Sequence, residues 1–174
     1  MGAYYAPARF RAADSRPYGS ISFYEVIVMT IRPADEQDLP EILALYAEPD
    51  MDVGETLPLS DAAAIFRKMA SYPDYNVYVA EEDGEIIGTF ALAIMDNLAH
   101  MGKKSGLIED VVVSRDHRRQ SVGKRMMEYA VELCKEKSCY KVALSSNIKR
   151  ESAHEFYKSL EFKIHGYSFL IELD

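Results

Sequence analysis

Residues 106–162 read GLIEDVVVSRDHRRQSVGKRMMEYAVELCKEKSCYKVALSSNIKRESAHEFYKSLEF, and the succession of patterns in this stretch decides the fold. The β-branched run from Leu107 to Val113 predicts a strand. A short basic turn, Arg118 to Gly123, leads from it into a segment with Val122, Met126, Ala130, Val131 and Cys134 at helical spacing, which predicts a helix from about Ser121 to Lys137. A turn that enters a helix leaves backbone N–H groups unpaired beside a partial positive charge, and here two or three cations stand with them. An anion fits such a turn, and a pyrophosphate-bearing cofactor is its natural guest. Residues 140–145 (YKVALS) predict a second strand. A helix follows from about Arg150 to Leu160, with Ala153, Phe156, Tyr157 and Leu160 on one face and Ser152 with Glu155 as a capping box near its start.

Outward from this stretch the periods alternate between strand and helix. Residues 25–32 (EVIVMTIR) predict a strand that Pro33 stops, and Asp35 caps a helix to about Ala47 with Leu39, Ile42, Leu43 and Tyr46 on one face. After the loop AEPDMDVGETLPL, Ser60 is the expected cap of a second helix, with Ala64, Ile65, Lys68 and Met69 on successive turns. Strands at 76–82 and 85–95 are split by Asp83-Gly84, a hairpin signal. The tail FKIHGYSFLIEL is expected to add one or two closing strands, bent near Gly166. This order predicts an α/β domain with a mixed sheet covered by helices on both faces.

The bulk properties narrow the classes. A chain of 174 residues is long enough for one domain with its own core. Met29 opens that domain, 29–174, and residues 1–28 form an N-terminal extension with Pro7, Pro17 and three arginines but no continuous apolar segment, hence no signal peptide. The formal charge of 20 − 28 = −8 speaks against nucleic acid and toward cationic small partners. No apolar run approaches a membrane span. Cys134 and Cys139 are the only cysteines and suit neither a disulfide framework nor a metal site, which points to a reducing, cytoplasmic setting. The four histidines stand singly, so no metal is expected. Neither GxGxxG nor a Walker sequence occurs.

The segment Arg118, Arg119, Gln120, Ser121, Val122, Gly123 resembles the acetyl-CoA signature of the GNAT N-acetyltransferase superfamily, with Ser121 where the signature has its first glycine. IEDVVV and CYKVAL are similar to glucosamine-phosphate N-acetyltransferases, and SSNIKRESAHEFY to aminoalkylphosphonate N-acetyltransferases. The resemblance covers about Thr30 to Leu173 and implies a GNAT-like mixed, mostly antiparallel sheet. It implies acetyl transfer from acetyl-CoA, as co-substrate, to a primary amine by direct attack in a ternary complex. A protein N-terminus or lysine as acceptor, or a domain that binds acyl-CoA without turnover, are the alternatives. The superfamily often dimerises through closing strands and termini, which implies a homodimer.

A primary amine has a pKa near ~10 and must lose a proton before it attacks, so a carboxylate acting directly or through water is needed. The resemblance gives that role to Glu109; a surface carboxylate is the plainer reading. Strict alternation puts Leu107, Glu109, Val111 and Val113 on one face and Ile108, Asp110 and Val112 on the other, so Glu109 and Asp110 share the cleft only if a bulge intervenes. Backbone groups of Val111, Val112 and Val113 are expected to meet the pantetheine arm. The turn, Arg118 to Lys124, is expected to hold the pyrophosphate. The departing thiolate needs a proton, and the resemblance assigns its delivery to Tyr157, which a core role fits as well. Asn147 is either a cofactor contact or a capping loop residue. Asp50, Asp52 and Glu55 lie in the loop that in the superfamily lines the acceptor side. They favour an ammonium, as the net charge does, whereas SSNIKRESAHEFY points to an aminophosphonate.

Overall fold

Five strands lie side by side in the order in which the chain makes them. The computed structural model describes residues 29–48 and 55–173. Along these run β1 (Thr30–Pro33), α1 (Leu39–Tyr46), α2 (Leu59–Met69), β2 (Tyr75–Glu82), β3 (Glu85–Met95), β4 (Ser105–Val113), α3 (Val122–Glu136), β5 (Lys141–Leu144) and α4 (Glu151–Ser159). The first four strands are antiparallel and β5 joins β4 in parallel, so the expected mixed, mostly antiparallel sheet is present. Asp83 (φ 52°) and Gly84 (φ 82°) supply the paired left-handed angles that a two-residue hairpin requires between β2 and β3.

Each face of the sheet has its own helices. Phe90, Leu92 and Ile108 bury themselves against Val122, Met126, Met127, Ala130 and Cys134 of α3, with Phe156 and Tyr157 of α4 and the following Leu160 partly buried beside them. On the opposite face Ile42 and Leu45 of α1 cover Val79, Ile86 and Val112. Close approach of α3 to the sheet depends on missing side chains. A Cβ at Gly88 would lie 2.8 Å from the Met126 sulfur, and one at Gly106 would overlap the Cys134 sulfur. Burial pushes the Cys134 thiol up to about 12, so it stays protonated and serves as a small apolar group.

Asp35 does cap the first helical segment, accepting from the Gln37 N–H at 2.7 Å across a short 3-10 turn that leads into α1. Asp38, only 7% exposed, is held by Arg32 of β1 through hydrogen bonds of 2.6 and 2.9 Å, and Arg32 also reaches Glu81 at 2.8 Å. The Arg32 hydrogen bonds hold the Asp38 carboxyl below its usual range against the opposing cost of burial. A folded-state pKa below the unfolded one means that this stabilisation exists above about pH 4 and is lost as pH falls through the folded value. Asp38→Asn is expected to cost about 2 kcal/mol at neutral pH, since hydrogen bonds to charged groups contribute on the order of 1.5–3 kcal/mol. Urea unfolding at neutral and acid pH checks it: the gap between the two proteins should narrow on acidification.

Several sequence expectations are corrected. α2 begins at Leu59 after Pro58, with no side-chain cap, so Ser60 lies inside the helix. Its inward side is Ala62, with Ala63, Phe66 and Met69 half-buried, while Ile65 is exposed. α4 begins at Glu151 without a capping box, and Glu155 pairs with Lys158 at 2.7 Å instead. The closing strands do not form: residues 163–173 run as irregular chain, with Ile164, Tyr167, Phe169, Leu170, Ile171 and Leu173 each 82–92% exposed. β5 has only four residues and its outer edge meets no other strand among the described residues. The strand proposed at 25–32 is seen from Thr30 onward, and the proposed extension, 1–28, lies outside the described residues.

Candidate active site

The irregularity that shapes the site is a bulge in β4. Ala91 pairs with Glu109 and Thr89 with Val112, so Asp110 and Val111 together oppose Phe90. Asp110 takes φ 53°, a left-handed conformation that aspartate tolerates better than most residues. One extra residue reverses the phase of the strand beyond it. Val112 therefore packs toward α1, while Val111 and Val113 pack toward α3. The strict alternation expected from the sequence ends at Glu109, and the bulge brings Glu109 and Asp110 to one cavity.

A second irregularity opens that cavity. β5 pairs with β4 only from Ser105↔Lys141 to Ile108↔Leu144. Beyond this point the two strands part around a space of about 140 Å³, lined by Ile108, Glu109, Asp110 and Val111 of β4, Leu144, Ser145 and Ser146 after β5, and Arg150 and Tyr157. Glu109 enters from the α1 face, since Ala91 and Val77 are its neighbours across the sheet. Tyr157 enters from the α4 face, where it packs among Phe156 and Phe162 with ring centroids 5.1 and 5.9 Å away. The gap between the strands thus joins a carboxylate and a phenol that the sheet would otherwise separate.

Burial raises the Glu109 carboxyl, and the negative charge of Asp110 raises it further. Burial also raises the Tyr157 phenol, and the Arg150 cation opposes this. Both groups are therefore biased toward their neutral forms. Tyr75 is raised by burial and by the charges of Asp110 and Glu109, and its ring stacks on Tyr72 at 6.3 Å. It lies on the Glu109 side of the sheet, one step along the strands, beyond the small side chains of Ala91 and Ala93.

The basic turn leads into α3 as expected. Arg119 (φ 63°) and Ser121 (φ 66°) both take left-handed angles, and α3 starts at Val122 with no side-chain cap. Its first N–H groups are directed out of the turn, the arrangement that receives anions. Val122 is buried in the core. A Cβ on Gly123 would lie 3.1 Å from the Phe156 ring, so this glycine lets the head of α3 approach α4 beside Tyr157. Arg118 is engaged within the chain, donating to the Val113 carbonyl at 3.2 Å and to Glu48 at 2.8 Å. Gln120 donates to the Asp116 carbonyl at 2.9 Å. Arg119 is exposed, and Lys124 stands 3.8 Å from Glu128.

Other expected residues lie apart from the cavity. Asn147 is exposed; its side chain accepts from the Lys149 N–H at 2.9 Å and its carbonyl meets His154 Nε2 at 3.0 Å. Arg150 lines the cavity. Sequence reasoning missed it; it stands at the N-cap of α4, just ahead of the helix that carries Tyr157. Glu55 is exposed and not among the lining residues, while Asp50 and Asp52 lie outside the described residues. Among the described residues no cluster of His, Cys, Asp or Glu is arranged to hold a metal, and no helix is long and apolar enough to cross a membrane.

A domain built in this way works as an acyltransferase. The chain belongs to the acetyltransferase (GNAT) family, whose sequence model matches residues 39–162. Glucosamine 6-phosphate N-acetyltransferase of Trypanosoma brucei brucei is 29% identical over 153 residues, covering 86% of this chain and 99% of that protein. Aminoalkylphosphonate N-acetyltransferase of Salmonella typhimurium is 30% identical over 132 residues, covering 75% and 82%. The crystal structure of glucosamine-6-phosphate N-acetyltransferase from Arabidopsis thaliana superposes with a TM-score of 0.74 at 25% identity, covering 84% of this chain and 99% of that one. Family members draw their acetyl group from acetyl-CoA.

Proposed function

We propose that this enzyme moves acetyl from acetyl-CoA to the primary amine of a small molecule that also carries a phosphate or phosphonate. The observation that carries the reading is the cavity in the strand gap, whose lining includes both Glu109 and Tyr157 and so supports one reacting centre between them. Acetyl-CoA supplies the activated thioester. The β4 edge that β5 leaves uncovered from Val111 to Val113 suits its pantetheine amides, and the N–H-rich turn at Ser121 to Lys124 suits its pyrophosphate. Glu109 accepts a proton from the ammonium, directly or through water, and frees the nitrogen lone pair for attack on the carbonyl carbon. Tyr157 gives its proton to sulfur as the C–S bond breaks. The phosphate-bearing acceptor is supported by two relatives named for phospho-amines and by the Arg150 guanidinium on the cavity wall.

Release of free CoA across a panel of amines tests this. Glucosamine 6-phosphate and aminoalkylphosphonates should be turned over, and polyamines and aminoglycosides should not. Turnover confined to polyamines would reverse the assignment of acceptor charge. At the turn, Ser121→Gly should stabilise the fold by up to ~1 kcal/mol, because a side chain at a left-handed angle costs about 1–2 kcal/mol, partly offset by the freer unfolded chain. It should also lower the KM for acetyl-CoA. Thermal unfolding and initial rates measure both.

A homodimer also belongs to this reading. Tyr167, Phe169, Ile171 and Leu173 alternate along the exposed tail, so as a strand they would present one apolar face. The outer edge of β5, which meets no other strand among the described residues, is a place for such a strand, and both are offered by every copy of the chain. Removing residues 163–174 should convert a dimer to a monomer in sedimentation; a full-length monomer would dismiss the assembly.

A further inference from the structure

Ser146 lines the same cavity as Glu109 and Tyr157, and its hydroxyl oxygen is sealed from solvent and has no hydrogen-bond partner. Leaving a buried hydroxyl unpaired costs about 1–3 kcal/mol, and folded chains rarely leave one so. Ser146 stands where the strand gap begins to widen, directly after Leu144 and Ser145 on the β5 side. That position is across the strand gap from Glu109 and Asp110 of β4, in a cavity that Tyr157 also lines. The charged groups facing the cavity are Glu109 and Asp110 from β4 and Arg150 from the segment ahead of α4, while Phe156 and Phe162 close the apolar side of Tyr157.

We propose that Ser146 is a positioning residue for proton delivery to the leaving group, its Oγ–H donating to the Tyr157 oxygen as that oxygen becomes a phenolate. This rests on the general-acid role given above to Tyr157. When the C–S bond breaks, its electron pair stays on sulfur and the proton of the Tyr157 hydroxyl moves to that sulfur. The phenolate left behind sits in a half-apolar site where negative charge is costly. A hydroxyl donor and the Arg150 guanidinium stabilise it there, and the hydroxyl needs no partner of equal strength until the charge appears. Glu109 and Asp110 make the same space more negative, which increases the need for a donor.

Ser146→Ala tests the assignment in the full-length enzyme. Turnover at saturating acetyl-CoA should fall about tenfold, with the KM for acetyl-CoA unchanged. The basic limb of the kcat profile should move to higher pH, because a phenolate that has lost a donor forms less readily. Ser146→Thr should restore both readings. In a Tyr157→Phe background the same change should cost nothing more, since no phenolate then forms. Unchanged kcat and an unmoved basic limb would overturn the proposal, and so would a raised KM with kcat intact, which would make the hydroxyl a ground-state contact. Should the alanine variant fail to fold, Ser146→Cys keeps the bulk, donates weakly and reads the same limb. If Tyr157→Phe turns over normally, the general-acid role fails and this inference fails with it. If Tyr157→Phe is slow and Ser146→Ala is not, only the role of Ser146 is lost.

Discussion

Tyr157→Phe is expected to lower kcat by about 10²–10³-fold while acetyl-CoA binds nearly as before, within the range that general acid–base groups contribute. The ring is held by Phe156 and Phe162 and belongs to the core that joins α4 to the sheet, so the variant keeps its apolar contacts and loses one oxygen. Stability should therefore change little. Burial keeps the phenol protonated well above neutral pH, against the smaller opposing effect of Arg150. An acid that must hold its proton until sulfur departs benefits from that bias. The wild-type basic limb should accordingly lie above ~10, the ordinary tyrosine value, and the Phe variant should show no such limb. CoA release at saturation, calorimetric binding of acetyl-CoA and thermal unfolding separate the chemical loss from loss of fold. Unchanged turnover would return Tyr157 to a packing role only.

The parts of the fold set by local periodicity were legible in the chain. Val122, Met126, Ala130 and Cys134 fall on one side of a helix by spacing alone, and the structure buries all four. Asp83-Gly84 announces its hairpin because few other pairs accept two left-handed angles. Features that depend on relations between segments were not legible. The bulge at Asp110 entered only as a condition for Glu109 and Asp110 to share the cleft, because a single aspartate in a β-branched run does not say whether the strand bulges there. Arg150 was passed over because attention fell on Asn147 as a cofactor contact, and only the fold shows that the N-cap of α4 lines the cavity. The tail misled for a different reason. Its alternation is a strand pattern, but an apolar strand face needs a surface to cover, and the tail covers none among the described residues.

At Glu109 the largest loss is expected at neutral pH. Glu109→Gln should reduce kcat/KM by about 10²–10³-fold, since it removes the proton acceptor and keeps the size and position of the side chain. Raising pH should recover part of this loss, because more of the amine is then already neutral; an amine has a pKa near ~10. The pH profile of the native enzyme carries the second reading. Burial first, and the Asp110 charge second, hold the Glu109 carboxyl above its ordinary range, so the acid limb of kcat/KM should lie above that of a free glutamate. Asp110→Asn separates the two causes. Asparagine accepts the left-handed angle at position 110 at least as readily as aspartate, so the bulge should persist. Loss of the neighbouring negative charge should then lower the Glu109 pKa and move the acid limb to lower pH, with the plateau largely retained. An acid limb that stays in place in Asp110→Asn would mean that Glu109 is not the group whose ionisation the limb reports. A plateau that collapses would instead give Asp110 a direct part in handling the amine. The bulge is what makes this comparison possible, because it turns two consecutive residues of one strand toward a single reacting centre.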